Sequence, residues 1–404
     1  MDASLQRLNV HLASVQPSAT YRMMDRVAAR RAEGANVISL SAGEPDFDTP
    51  AHIRAAAIDA INAGHTRYTP VAGMRALREA VARKFQRENG LDCSWQDTLV
   101  CSGGKQVIYN ALAATLNAGD EVIVPAPCWV SYPEMVQLCG GRAVIAKCEH
   151  GAGFKLTPET LSQAISARTR WLILNSPSNP TGAVYSRDEL RLLADVLLKH
   201  PHILVLSDDI YEHLVFDGAG FATIAQVEPR LAERTVTMNG VSKAYAMTGW
   251  RIGFCTAPRW LLDAMEKLQG QQTSGASSIS QHAALAALEG PQDFIETSRR
   301  VFQARRDLMV ASLTATPGLR CDLPAGAFYA FASCEGLIGR TSKGGVPLRT
   351  DEDVALALLE EANVAAVQGS AFGLGPYIRI AYALDDQALR QASDAIAEFA
   401  SACR

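Results

Sequence analysis

The stretch from Thr98 to Tyr211 begins TLVCSGG (98–104), QVIYNALAATLNAG (106–119), DEVIVPAP (120–127), PEMVQLCGG (133–141) and RAVIAKC (142–148). It continues ETLSQAISAR (159–168), RWLILNS (170–176), RDELRLLADVLLKH (187–200) and HILVLSDDIY (202–211). Short apolar runs alternate with segments whose apolar residues recur at helical spacing. An unbroken apolar run is the pattern of a strand covered on both faces, and interleaved helices let successive strands run parallel. The stretch therefore predicts an α/β fold with a mostly parallel central sheet flanked by helices. In such sheets ligands gather beyond the carboxyl ends of the strands. The polar clusters SGGK, NSPSNPTG and SDDIY each follow an apolar run, so they are expected to converge on one cleft.

Beyond this stretch the pattern changes. Long helical segments from Arg259 to Leu313 lead into LRCDLPAGAFYAFAS, a helical EDVALALLEEANV, the strand-like YIRIAYA and a last helix, which predicts a second, smaller α+β lobe. Residues 335–350, with glycines, a proline and the basic Arg340, Lys343 and Arg349, read as a surface loop. No fixed-period repeat is visible.

The 404 residues allow two or three lobes at a prior of about 150 residues each. With 48% hydrophobic and 20% charged residues the chain reads as an ordinary globular protein. A formal charge of −4 gives no electrostatic footprint for nucleic acid or anionic lipid, so small molecules are the expected partners. Nine scattered cysteines without CxxC spacing read as buried apolar fillers in a reducing compartment, and no metal site is expected. The first thirty residues lack the apolar core of a secretory signal, and no run reaches the roughly 18 residues of a membrane span. The expected location is cytoplasmic.

The segment Val241-Ser-Lys-Ala-Tyr-Ala-Met-Thr-Gly-Trp-Arg251-Ile-Gly carries the chemistry. Here the chain resembles the class I and II aminotransferases of fold type I, which use pyridoxal 5′-phosphate (PLP), and especially the bacterial aspartate/prephenate branch. By that resemblance Lys243 forms the Schiff base with the cofactor and Arg251 holds its phosphate. An S-K dipeptide alone says nothing; the whole string is specific. Asn175-Ser-Pro-Ser-Asn179-Pro-Thr-Gly182 would otherwise pass for a turn. It matches the family's NxPxNPTG, which assigns Asn179 a bond to the cofactor's phenolic oxygen and to the substrate carboxylate.

Ser207-Asp208-Asp209-Ile210-Tyr211 is similar to the family's SDEIY, with Asp209 in place of the commoner glutamate. A carboxylate pair at a strand end could bind metal or simply be solvated. The resemblance instead places Asp208 against the pyridine nitrogen, which an ionised carboxylate keeps protonated. Tyr211 then contacts the phenolic oxygen.

Cys101-Ser-Gly-Gly-Lys105-Gln106 follows a strand and opens a helix, where free N–H groups and the helix dipole suit a phosphate. The resemblance implies that Gly103, Gly104 and Lys105 bind it. Trp129 aligns with the aromatic that stacks on the ring, though a lone tryptophan is more often core. Gly43, in LSAGEPDF, lines the substrate. Arg379, in YIRIAYA, is a planar clamp suited to an α-carboxylate, and without the other motifs would be read as an arginine on an exposed edge strand. Tyr68 resembles a tyrosine given to the phosphate of the neighbouring subunit, implying a homodimer with composite sites. Gly240 departs from the pattern, standing where many relatives carry a serine, so phosphate binding would lean on Gly104, Lys105, Arg251 and Tyr68.

The resemblance implies domains at 1–45 (an N-terminal arm joined to the small domain), 46–295 (PLP-binding) and 296–404 (small α+β). It further implies ping-pong transfer of an amino group from an L-amino acid, aspartate first, to 2-oxoglutarate through pyridoxamine phosphate, with Lys243 as general base. Lys105 would read the distal carboxylate, helped by a hydroxyl of Thr273 or Ser274 from the facing subunit. Aromatic, alanine or prephenate substrates and C–S β-elimination remain open on the same motifs. A DNA-binding regulator with an aminotransferase-like domain would need a basic extension of roughly 60 to 100 residues, whereas the family pattern starts near Val15.

Overall fold

A computed structural model describes residues 9, 11–12 and 15–404; positions 1–8, 10, 13 and 14, which open the expected N-terminal arm, lie outside the described residues. Its strands are β1 (Ile38–Ser39), β2 (Thr98–Cys101), β3 (Glu121–Ala126), β4 (Arg142–Lys147), β5 (Thr169–Asn175), β6 (Leu204–Asp208), β7 (Thr235–Gly240), β8 (Gly253–Thr256), β9 (Tyr329–Ser333), β10 (Val364–Ala365), β11 (Val367–Gln368) and β12 (Tyr377–Ala381). Seven of them form the central sheet in the order β2-β8-β7-β6-β5-β3-β4. All pairs are parallel except those of β8, which lies antiparallel between β7 and β2. The expected architecture, a mostly parallel central sheet flanked by helices, is the one found.

Alternation along the strands divides the core. Val122, Val124, Leu204 and Leu206 join the helices Gly104–Ala113 and Arg259–Gln272 on one face. Ile123, Leu172 and Val205 meet the helix Arg187–Leu197 on the other. Covering both faces is what makes β2, β6 and β8 buried at every position. Because β2 runs with the parallel strands, the carboxyl ends of β2, β3, β5, β6 and β7 share one edge, and SGGK, NSPSNPTG and SDDIY all leave from it.

A three-stranded antiparallel sheet, β11-β12-β9, packs with the helices Asp293–Ala315, Asp351–Ala362 and Asp386–Ala402 around a separate core. β1 pairs with β10, Ile38 opposite Val364, so the early chain is fastened to this C-terminal part. The surface loop expected at 335–350 is found, with most of its residues exposed, and it is anchored at several points. Leu337 and Leu348 are core residues, Thr341 and Arg404 exchange two backbone bonds, and Glu361 accepts from Ser342 and from the Gly344 amide. All nine cysteines are free; seven are buried, while Cys139 and Cys321 are half-buried. Among the described residues no helix is long and apolar enough to cross a membrane.

Candidate active site

Asp208 ends β6, where its buried carboxylate accepts from the Tyr132 hydroxyl at 2.6 Å and from the Ile210 amide at 3.3 Å. Burial pushes this carboxyl up to about 6, and the Tyr132 bond, the Ile210 amide and Lys243 hold it from rising further. Lys243 follows the end of β7, and its Nζ donates to the Gly43 carbonyl at 2.6 Å, facing the rings of Tyr211 and Phe328. Burial lowers its ammonium to about 8; Glu44 opposes the shift, and Arg251 and Arg379 add to it. Packing at the last residue of β7, which pairs with Gly253 of β8, explains Gly240, since a Cβ there would sit 2.9 Å from the Ile252 carbonyl and 3.1 Å from Ile210. A serine has no room at that point.

Asn175 ends β5 and organises the next turn: its Nδ2 donates to the Asp208 carbonyl and its Oδ1 accepts from the Asn179 amide, each at 2.9 Å. Asn179 Oδ1 in turn accepts from Arg379 at 3.1 Å. Arg379 is not on an edge. It sits on β12, the middle strand of its sheet, 2% exposed, between the rings of Tyr329 and Phe372, and also donates to the Ser41 carbonyl at 2.5 Å. Tyr211 and Tyr329 share a hydroxyl hydrogen bond of 2.8 Å, and the Tyr329 hydroxyl abuts Gly43, leaving no space for a Cβ.

The glycine turn after β2 lies beside these groups. Gly103 has φ +87°, and a Cβ on it would collide with the Arg251 guanidinium; one on Gly104 would meet Met238 of β7 at 2.8 Å. Arg251, itself left-handed at φ 57°, donates to the Thr248 carbonyl. Lys105 extends over the Trp129 ring at 4.9 Å, and burial together with nearby Arg251 lowers its ammonium. Trp129 meets Tyr132 edge-on at 5.3 Å.

Thus Gly43, Gly103, Gly104, Lys105, Trp129, Asn179, Asp208, Tyr211, Lys243, Arg251 and Arg379 are linked through contacts along one strand edge. Tyr68 is not joined to them; it stands 94% exposed. Thr273 and Ser274 are exposed, with the Thr273 hydroxyl accepting from Gln106, the neighbour of Lys105. Sequence reading passed over Tyr132, Tyr329, Asn175 and Glu44. Asn175 and Glu44 stood inside motifs already quoted, NSPSNPTG and LSAGEPDF, while no functional motif marked Tyr132 or Tyr329.

The site suits the group that the resemblance names. The Arg251 guanidinium stands beside Gly103 at the first turn of the helix Gly104–Ala113, and the two glycines keep the backbone there clear of side chains, as a phosphate requires. An amine and a buried carboxylate on adjoining strand ends supply a carbonyl-reactive group and a partner for a ring nitrogen. Elsewhere, Glu88, Glu212 and His213 lie within metal-binding reach of one another, but Lys84 already ion-pairs with both glutamates.

The chain matches the family model described as aminotransferase class I and II over residues 35–396. It is 54% identical over 388 residues to the aspartate/prephenate aminotransferase of Cereibacter sphaeroides, covering 96% of this chain and 97% of that protein. The aspartate aminotransferase of Rhizobium meliloti strain 1021 is 51% identical over 386 residues, covering 96% of this chain and 94% of that one. Among solved structures, an aspartate aminotransferase from Rhizobium meliloti superposes with a TM-score of 0.96 at 49% identity, covering 98% of this chain and all of that one. The Thermus thermophilus aspartate aminotransferase with maleate gives 0.91 at 40%, covering 97% and 99%. With this match over nearly its whole length, and with the strand-end site described above, the chain belongs to the class I and II aminotransferases.

Proposed function

We propose that this aminotransferase uses PLP to move the amino group of L-aspartate to 2-oxoglutarate in a ping-pong reaction. The observation that carries the reading is the gathering of the Lys243 amine, the Asp208 carboxylate and the Arg379–Asn179 pair at one strand edge. When bound, the cofactor supplies an electron-accepting ring that makes the substrate Cα–H acidic.

The chain's own residues divide the remaining work. Asp208, anionic above about pH 6, holds a proton on the pyridine nitrogen. Lys243 Nζ, whose burial favours the neutral amine, is the group that would take up the Cα proton and hold it for return. Arg379 clamps the α-carboxylate with its guanidinium fork, its position fixed by Asn179 and by the Ser41 carbonyl. Gly103, Gly104, Lys105 and Arg251 would hold the phosphate, Trp129 would cover the ring, and Tyr211 and Asn179 would meet the phenolic oxygen.

Lys105, exposed over Trp129, is placed to meet a distal carboxylate, which favours aspartate. The full exposure of Tyr68 fits a side chain lent to a second subunit in a homodimer. The name of the Cereibacter protein favours prephenate as a further acceptor.

The test is an absorbance spectrum before and after aspartate is added to the purified protein. A band on the order of 360 to 430 nm, replaced by one near roughly 330 nm, is the expected signature of amino transfer. A band that aspartate leaves unchanged refutes the donor, and no band after PLP is supplied refutes the reading. Release of pyruvate and ammonia from cystathionine without an oxo acid would assign β-elimination instead.

A further inference from the structure

The segment between β1 and the helix Ala51–Asn62 crosses the site as a strap. At its start Leu40 exchanges backbone bonds with Ala365 and Ala381, and Ser41 accepts from Arg379, so this end belongs to the C-terminal sheet. At its far end the Thr49 hydroxyl donates to the Ala246 carbonyl at 2.6 Å and accepts from Trp250 at 3.0 Å, fixing that end to the turn that carries Lys243. Gly43 and Glu44 lie between; the Gly43 carbonyl receives Lys243, and Glu44 receives the Thr248 hydroxyl.

A third anchor holds the middle. Arg305, on the long helix Asp293–Ala315, is 7% exposed and grips Asp46 at two points, Nη1 to Oδ1 at 2.7 Å and Nη2 to Oδ2 at 2.9 Å. Its Nε donates to Asp386 of the last helix at 3.2 Å, and its guanidinium lies 5.4 Å from the Phe47 ring and 5.9 Å from Phe302. Phe47 packs edge-on against Phe294 and Phe302. A paired fork of this kind fixes orientation as well as distance. Only Glu44 and Pro45 separate Asp46 from Gly43, and the proline fixes its own φ, so a shift at Asp46 is carried along a short, stiff connection to Gly43.

We propose that Arg305 is a positioning residue: by clamping Asp46 it sets where the Gly43 carbonyl stands over Lys243 and thereby registers Arg379 against the amine. Substrate spans that distance, with its carboxylate on Arg379 and its Cα near Lys243. The inference rests on the proposed transamination. Arg305 touches neither the reacting atoms nor the substrate, so loosening it weakens substrate binding more than turnover.

The experiment compares full-length, PLP-loaded wild type with R305K, D46N and D386N. R305K keeps the charge and loses the fork; D46N breaks the same pair from the other side, so each covers for the other if one fails to fold. Both are expected to raise KM for aspartate, and the Kd of the non-reacting dicarboxylate maleate, by at least about tenfold, the loss expected for one charge-assisted bond. The fall in kcat should stay below about threefold. Amides of residues 41–48 should exchange hydrogen faster, while those of β5–β7 and β9 do not. D386N, which spares the fork, should behave as wild type. KM and maleate Kd within about twofold of wild type in R305K and D46N, or exchange rising equally through β9, β12 and the helix Asp293–Ala315, overturns the proposal. If the wild type fails to transaminate, the functional reading falls, and the exchange pattern still decides the strap.

Discussion

Replacing Tyr132 with phenylalanine removes one hydroxyl from a buried carboxylate and little else, because the ring keeps its edge-on contact with Trp129. A hydrogen bond to a charged group contributes about 1.5–3 kcal/mol. At about 1.4 kcal/mol per pH unit, losing it raises the Asp208 midpoint by about 1 to 2 units. The carboxyl, pushed up to about 6 by burial, then titrates at about 7 to 8. The sign follows from linkage: the fold disfavours the anion, so stability is full below the ordinary carboxylate range and declines as pH rises through about 6. In Tyr132→Phe that decline extends further up, and at neutral pH much of Asp208 is protonated and cannot hold a proton on a ring nitrogen. The assay is carbon-13 NMR of aspartate-labelled protein stripped of PLP, following the Asp208 carboxyl across pH. A midpoint equal to or below that of wild type would refute the reasoning.

Lys105→Ala should cut aspartate turnover at least about tenfold more than alanine turnover, since only the former needs a distal cation; equal losses in steady-state kinetics would remove Lys105 from side-chain recognition. Gly103→Ala places a Cβ at φ +87° against the Arg251 guanidinium, and strain of about 1–3 kcal/mol should weaken PLP retention in equilibrium dialysis by about fivefold or more. Unchanged retention would show that the loop relaxes freely. With its ammonium lowered to about 8 by burial, Lys243 in PLP-free protein should react with a simple aldehyde at a rate that rises through about pH 8, and a rise only near the ordinary lysine range would contradict that burial.

The central sheet was legible because its strands are buried on both faces and carry unbroken apolar runs, which helix-period segments separate. β4, at the edge of that sheet, was still readable from RAVIAKC despite its exposed positions. The loop at 335–350 was legible from its glycines and basic residues, but its two anchors, Leu337 and Leu348, were not, because they are isolated apolar residues with no periodicity. Within the site, local motifs named the residues that face the cleft. They could not name Tyr132 or Tyr329, whose partners Asp208 and Tyr211 lie 76 and 118 residues away. Asp46 and Arg305 are 259 residues apart, beyond the reach of any spacing rule.

The pair Asp208-Asp209 shows how strand geometry settles what composition leaves open. Successive side chains on β6 point to opposite faces. Leu204 and Leu206 belong to the face that holds Tyr132, so Asp208 emerges beside Tyr132 and Lys243. Val205 belongs to the other face, and Asp209 emerges there, accepting from the Ser207 hydroxyl at 2.7 Å, with the Thr223 hydroxyl next to Ser207. Burial pushes the Asp209 carboxyl up to about 8, and neighbouring Glu212 adds to the rise. One strand end therefore offers a single anion to the cleft. A slip of one residue in the pairing of β6 with β7 would exchange the two roles, turning Asp209 toward Lys243 and setting Asp208 against Thr223. The ladder between Val205–Asp208 and Thr235–Met238, continued by the Asp209 amide bonded to the Met238 carbonyl, is thus what selects the carboxylate that acts.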